Sequence, residues 1–265
     1  MVLAESRSIN GVVVRVAASR AAMANQAAAG IADEIRACLQ KQSGVRMIFA
    51  AAPSQAEMLA ALSTEKDIDW TRITAFHMDE YLGLNPDSPQ RFGGWLQRAI
   101  FDRLPFRAVH LIEPGENAEQ TAASYAAKLN EAPIDIVCCG IGVNGHLAFN
   151  DPPCDFNDPL TVKIVILDAQ CRRQQVDDQC FATLAEVPTQ ALTVTVPALL
   201  ACRAIFCTVP GFSKREAVRR ALLGPIDPGC PASALRRHPR CTIYLDHDSG
   251  SELQSSRKDR DWSAL

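Results

Sequence analysis

Apolar residues in this chain fall into short compact blocks, and the stretches between them repeat apolar positions every three or four residues. The blocks are 11–16, 45–51, 72–78, 108–112, 134–139, 162–167, 192–196, 204–209 and 242–245, rich in Val, Ile, Leu, Phe and Cys. That composition over such lengths predicts strands. The intervening stretches have the period of helices with one buried face. An Ala-rich one is placed to be capped by Ser19 and to run to about Gln40, and others end near Ser63 or cover 94–101, 118–129 and 213–223. Block 134–139 is apolar throughout and bounded by Pro133 and Gly140, as expected of a parallel strand covered on both faces. Strands alternating with helices predict an α/β chain: a Rossmann-like three-layer fold with a mostly parallel central sheet and helices on both faces.

Two polar stretches interrupt the pattern. Residues 79–89 read as a loop, and 168–189 are polar and weakly periodic, which suggests a lid. No linker, repeat or low-complexity block divides the chain, so one domain over 1–265 is expected, with fraying from about Gln254.

Charge narrows the partners. The 27 Lys and Arg against 30 Asp and Glu give a net charge of −3. That provides no electrostatic basis for nucleic acid or an anionic membrane as partner. No block approaches the roughly 20 apolar residues of a membrane span, and no basic stretch followed by an apolar run opens the chain. The ten cysteines never take C-x-x-C spacing, and several sit inside apolar blocks as small core residues. These features fit a reducing cytoplasm. They leave monomer and homo-oligomer equally open, and they point to a small-molecule partner.

Candidate chemistry gathers just after the strands. Gly140-Ile141-Gly142-Val143-Asn144-Gly145 matches G-x-G-x-x-G and follows a strand, but a dinucleotide site also needs a helix opening at the third glycine. Pro152 and Pro153 leave no room for one. Four strand-end loops carry polar groups: Pro53-Ser54-Gln55, Asp79-Glu80-Tyr81, Asn144-Gly145-His146 with Asp151, and Gly211-Phe212-Ser213-Lys214. Each has a bland explanation: a solvated acidic turn, a loop histidine, a surface lysine. Together they sit where open α/β sheets bind ligands. A lysine at the first turn of a helix opposes the macrodipole unless an anion lies between them.

These segments resemble the glucosamine-6-phosphate deaminase/isomerase family. Residues 74–84 are similar to its F-x-M-D-E-Y-x-G-L motif and 140–152 to G-x-G-x-D-G-H-I-A-F-N-E-P. Residues 187–194 are similar to V-P-x-x-A-L-T-V and 211–214 to the G-x-x-K phosphate lysine, all in family order. The resemblance implies isomerisation and deamination of an amino-hexose 6-phosphate, glucosamine 6-phosphate or its galactosamine epimer, with no metal or organic cofactor. It implies catalytic roles for Asp79, Glu80, Asn144, His146 and Asp151, with Asp79 moving the C2 proton and His146 opening the pyranose ring. Ser54, Gln55, Gly145, Lys214 and a cation from Arg172 or Arg173 would bind substrate and phosphate. Three departures stand out. Asn144 replaces the family's Asp, where it is expected to accept a hydrogen bond from the imidazole without stabilising imidazolium by charge. Asp151 replaces Glu, and Pro53 interrupts the glycine-rich phosphate loop while Ser54 and Gln55 remain as donors. The competing readings are a 6-phosphogluconolactonase and a non-catalytic sugar-phosphate sensor.

Overall fold

The structure, a computed structural model, describes residues 5–253. The fraying expected from Gln254 lies outside the described residues.

The chain opens with a hairpin. Strands β1 (Glu5–Ile9) and β2 (Val12–Ala17) pair antiparallel around Asn10-Gly11, both at positive φ. Asn-Gly is the turn pair that tolerates this geometry. Strand β1 was not expected, because Ser6-Arg7-Ser8 lacks the apolar content of a covered strand. As the sheet's edge it needs none. Helix α1 (Arg20–Leu39) starts as expected: Ser19 accepts from Ala22 N at 3.2 Å.

The remaining elements follow in alternation: β3 (Val45–Phe49), α2 (Ala56–Ser63), β4 (Ile73–His77), β5 (Asp79–Tyr81), α3 (Phe92–Ala99), β6 (Ala108–His110), α4 (Ala118–Asn130) and β7 (Ile136–Cys139). Then come β8 (Val162–Ile166), α5 (Ala169–Asp177), β9 (Gln190–Val194), α6 (Val196–Leu200), β10 (Ala204–Val209), α7 (Arg215–Leu223) and β11 (Cys241–Asp246). Eight strands form the main sheet in the order β1-β2-β11-β10-β7-β3-β4-β6, parallel except at the β1–β2 edge. Alternation along each strand feeds two cores. Met47 and Phe49 join α1, α2 and α3 on one face, and Ile48 joins α4, α6 and α7 on the other. This is the three-layer α/β arrangement.

The expected loop at 79–89 is corrected. It begins as β5, which pairs antiparallel with β9 in a second sheet of order β5-β9-β8. Asp79, Glu80 and Tyr81 are 6%, 0% and 1% exposed. A three-residue strand with two carboxylates carries no local signal. Its partner, β9, lies more than a hundred residues away. The segment expected as a lid contains α5, capped by Asp168, whose carboxylate accepts from Gln170 N at 2.7 Å.

Period-two alternation sends Asp79 and Glu80 to opposite faces of β5. Glu80 turns toward the start of α3. Its oxygens accept from Phe92 N at 3.1 Å, Gly93 N at 3.0 Å and Tyr81 N at 3.0 Å, with Arg91 Nε at 3.5 Å. Burial raises its pKa, and the three amides and Arg91 oppose that rise. Glu80 is therefore an anchor that seats α3, away from the cleft where catalysis was expected of it. Glu80→Ala should cost about 3–5 kcal/mol, the loss expected when one partner of a buried pair is removed. Chemical denaturation checks this; a loss under about 1 kcal/mol would show that the anchor is dispensable.

Candidate active site

At the carboxyl ends of β3, β4, β7 and β10 the chain leaves a cleft lined by Ser54, Gln55, Asp79, His146, Gln174, Gln175 and Lys214, among others. The four strand-end loops singled out in the sequence thus converge.

The loop after β7 explains the misleading glycine pattern. Gly145 N donates to Gly142 O and Gly142 N to His146 O, both at 3.0 Å, which folds a tight turn instead of opening a helix. A Cβ at Gly142 would lie 2.2 Å from the His146 ring, and one at Gly140 would lie 2.9 Å from Gln55 Nε2. Gly145 takes φ +92° with Cys230 packed against it. The glycines make room for an imidazole and a carboxamide, and no nucleotide is needed to account for them. Strand β9 holds the far end of this loop: Phe149 N donates to Thr193 Oγ1 at 3.1 Å and Asn150 Nδ2 to Val194 O at 2.8 Å.

His146 Nδ1 lies 3.2 Å from Asp151 Oδ1. Asn144 does not face the imidazole. Its Nδ2 donates to Asp151 Oδ1 at 2.9 Å, and its Oδ1 accepts from the backbone N–H of His146 at 3.0 Å. The expectation that Asn144 accepts a hydrogen bond from the imidazole is therefore corrected: the imidazole faces Asp151, and Asn144 bonds to that carboxylate and to the His146 backbone. Burial alone would raise the Asp151 pKa, but His146, Asn144 and the Asp168 N–H together hold it below the usual value.

Asp79 enters the cleft from the other side. Burial, and then the neighbouring Glu80 charge, push its pKa well above the ordinary carboxylate value. A buried carboxyl group whose pKa is raised by its surroundings is a candidate for proton transfer.

The end of the cleft expected to bind phosphate differs from expectation in two ways. Gln55, 1% exposed, directs its Nε2 to Thr208 O at 3.1 Å and to Ser54 Oγ at 3.3 Å. Both amide hydrogens are engaged, so Gln55 positions Ser54 and leaves the serine O–H free to donate. Arg172 points away, donating to Leu184 O and Val187 O, and Arg173 is exposed. Lys214 does line the cleft, on a turn set by Gly211, whose N–H donates to Asp246 at 2.9 Å. Among the described residues no carboxylate comes within ion-pair distance of Lys214. Burial lowers its pKa to about 8, with Asp178 partly opposing.

Three polar cleft residues were missed. Gln174, Gln175 and Asp178 reach the cleft from α5 and its C-terminal cap. Gln174 Oε1 accepts from Val143 N at 3.0 Å, and its Nε2 donates to Asp178 Oδ2 at 3.1 Å. Only the docking of α5 shows which of its polar residues face inward.

Residues 18–152 match the family model described as glucosamine-6-phosphate isomerases/6-phosphogluconolactonase. A glucosamine-6-phosphate deaminase of Listeria welshimeri is 34% identical over 211 residues, 79% of this chain and 88% of its own. A solved monomeric glucosamine-6-phosphate deaminase superposes with a TM-score of 0.83 at 26% identity, covering 90% of this chain and 98% of that one. The 6-phosphogluconolactonase of Trypanosoma brucei shares the fold, with a TM-score of 0.77 at 15% identity over 93% of this chain and all of its own.

The Asp79 environment has a stability consequence. Its folded-state pKa is raised, so the native state holds the proton more tightly than the unfolded chain, and stability falls as pH rises through the folded pKa. Asp79→Asn removes that loss. The variant should melt at higher temperature than wild type at neutral and alkaline pH, and the gap should close below about pH 3.9, where the unfolded carboxyl is also protonated. A variant less stable than wild type at pH 8 would contradict this account of Asp79.

Proposed function

The chain belongs to the glucosamine-6-phosphate isomerase/6-phosphogluconolactonase family, and we propose that it converts an amino-hexose 6-phosphate, glucosamine 6-phosphate first, to fructose 6-phosphate and ammonia. The observation that carries this reading is Asp79: a buried carboxyl of raised pKa that shares a cleft with a histidine–aspartate pair and a lone buried lysine. Lactone hydrolysis needs no proton moved between carbon atoms, whereas aldose–ketose isomerisation does, and Asp79 suits that step.

In this reading Lys214 and the Ser54 hydroxyl hold the phosphate. Charge-assisted contacts of this kind fix the far end of the sugar. His146, backed by the Asp151 charge, gives a proton to the ring oxygen as the pyranose opens. Asp79 then takes the C2 proton and returns it to C1. Water adds at C2, now an iminium carbon, and ammonia leaves, so one water enters for each ammonia released. Keeping Asp79 and His146 out of bulk water strengthens both steps. Residues 168–189, with α5, would act as the lid of a single domain spanning 1–265, tethered through Gln174 to Val143. Every group invoked comes from one chain, so the chemistry requires no oligomer. Free thiols at all ten cysteines suit a reducing cytoplasm.

Incubation with glucosamine 6-phosphate, and in parallel galactosamine 6-phosphate, should release ammonia and ketose phosphate in equal amounts. Asp79→Asn should abolish turnover while sparing substrate binding. Turnover by that variant near the wild-type rate would overturn the reading.

Lys214 sets an alkaline limit. Its charge is lost as pH rises through about 8, so kcat/KM should fall across that range. Lys214→Ala should weaken binding of phosphorylated sugars by about 1.5–3 kcal/mol and remove the alkaline fall. Equal losses for phosphorylated and unphosphorylated ligands would show that Lys214 does not meet the phosphate.

A further inference from the structure

The proposed reaction leaves one group beside the histidine unused. Cys171, on the first turn of α5, is fully buried. Its Sγ, His146 Nδ1 and a carboxylate oxygen of Asp151 all lie within 4.8 Å of one another. His146 Nδ1 is 3.2 Å from Asp151 Oδ1, yet it is buried without a hydrogen bond of regular geometry. A nitrogen, an oxygen and a sulfur thus converge on one point, and the nitrogen's position there is unsatisfied.

The spacing fits a small four-coordinate ion. Zinc bonds of about 2.0–2.3 Å imply donor-to-donor edges of about 3.3–3.6 Å in a tetrahedron. The His146–Asp151 edge already has nearly that length, and rotation about the Cα–Cβ bond of Cys171 adjusts the other two. The donor set is decisive as to class. Thiolate with imidazole selects zinc over magnesium or calcium, which prefer all-oxygen shells. The outer contacts that orient metal ligands are also in place. Asp151 Oδ1 accepts from Asn144 Nδ2 and Oδ2 accepts from Asp168 N, each at 2.9 Å. Asp168 in turn caps α5, the helix that carries Cys171.

We propose that His146, Asp151 and Cys171 form an inhibitory zinc site, with the fourth position left to a small exogenous ligand such as water. The metal binds as Zn2+, the proton of the Cys171 thiol and any proton on His146 Nδ1 go to solvent, and His146 keeps one proton on Nε2, with no change of oxidation state. Burial pushes the Cys171 thiol up, so without metal it stays protonated. Zinc binding therefore tightens as pH rises. The ion occupies the Nδ1 position of His146 and the charge of Asp151, and it ties α5 to the loop after β7. Ring opening and lid movement stop together. This inhibition rests on the role proposed for His146; the binding does not.

The test is a Co2+ titration of the full-length protein after chelator treatment. The expected result is one equivalent bound, with the near-ultraviolet charge-transfer band of a cobalt–thiolate bond and the intense visible bands of four-coordination. Zn2+ should abolish both, and Cys171→Ser should lack the charge-transfer band. Loss of an outer-shell contact costs about 10–100-fold in metal affinity. Loss of the Cys171 ligand should therefore weaken zinc inhibition by about 100-fold or more while sparing the metal-free rate. X-ray absorption on zinc-loaded wild type should find a single sulfur among nitrogen and oxygen neighbours, a readout that needs no variant to fold. A shell without sulfur, or a band and zinc inhibition unchanged in Cys171→Ser, would overturn the site. The cobalt titration uses no substrate, so a protein that binds cobalt this way but turns over no amino-sugar phosphate would separate the site from the proposed reaction.

Discussion

Two adjacent carboxylates buried on one three-residue strand are the constraint on which this site depends. Burying a charge without partners is costly, and β5 meets that cost differently on its two faces. Glu80 receives three backbone N–H groups and an arginine. Among the described residues Asp79 receives no comparable set, and its pKa is raised. The first arrangement seats α3 against the small sheet; the second leaves a carboxyl group that holds its proton more tightly than a free one. One backbone alternation thus separates an anchor from a carboxyl group that faces the cleft. The antiparallel pairing with β9 keeps the alternation in register, because a slip of one residue would exchange the two faces.

The same β9 strand fixes the opposite wall. Thr193, directly across from Asp79, also takes the Phe149 N–H of the loop that carries His146 and Asp151. The carboxyl group and the histidine–aspartate pair are therefore referenced to one strand, which is why groups from distant parts of the chain can share a cleft. On the main sheet, Gly211 and Gln55 do similar work for the end of the cleft that carries Lys214 and Ser54. One aims the turn that carries Lys214, and the other aligns the Ser54 hydroxyl.

The departures from the family motifs look different in this light. Asn144 in place of Asp would weaken a histidine that relied on it, but here it bonds to Asp151, which carries the charge. A second carboxylate at 144 would face Asp151 across that same contact, and like charges so close repel strongly. Asn144 and the shorter Asp151 form one consistent arrangement.

Much of this was legible in the sequence, because it rests on local rules. Apolar blocks alternating with helical periods determined the layered α/β fold, Ser19 marked the start of α1, and prolines 152 and 153 excluded a nucleotide-binding helix after the glycines. Strand ends located Asp79, His146 and Lys214, since ligand sites in open sheets follow from topology. Tertiary structure alone decided the rest. Whether Asp79 or Glu80 faces the cleft depends on pairing with a strand more than a hundred residues away, and whether Arg172 or Gln174 faces it depends on how α5 docks. Which residue partners His146 depends on how the loop folds back to bring Asp151 alongside. Short polar segments carry no hydrophobic period, so the sequence names their side chains, and only long-range packing determines where those side chains point.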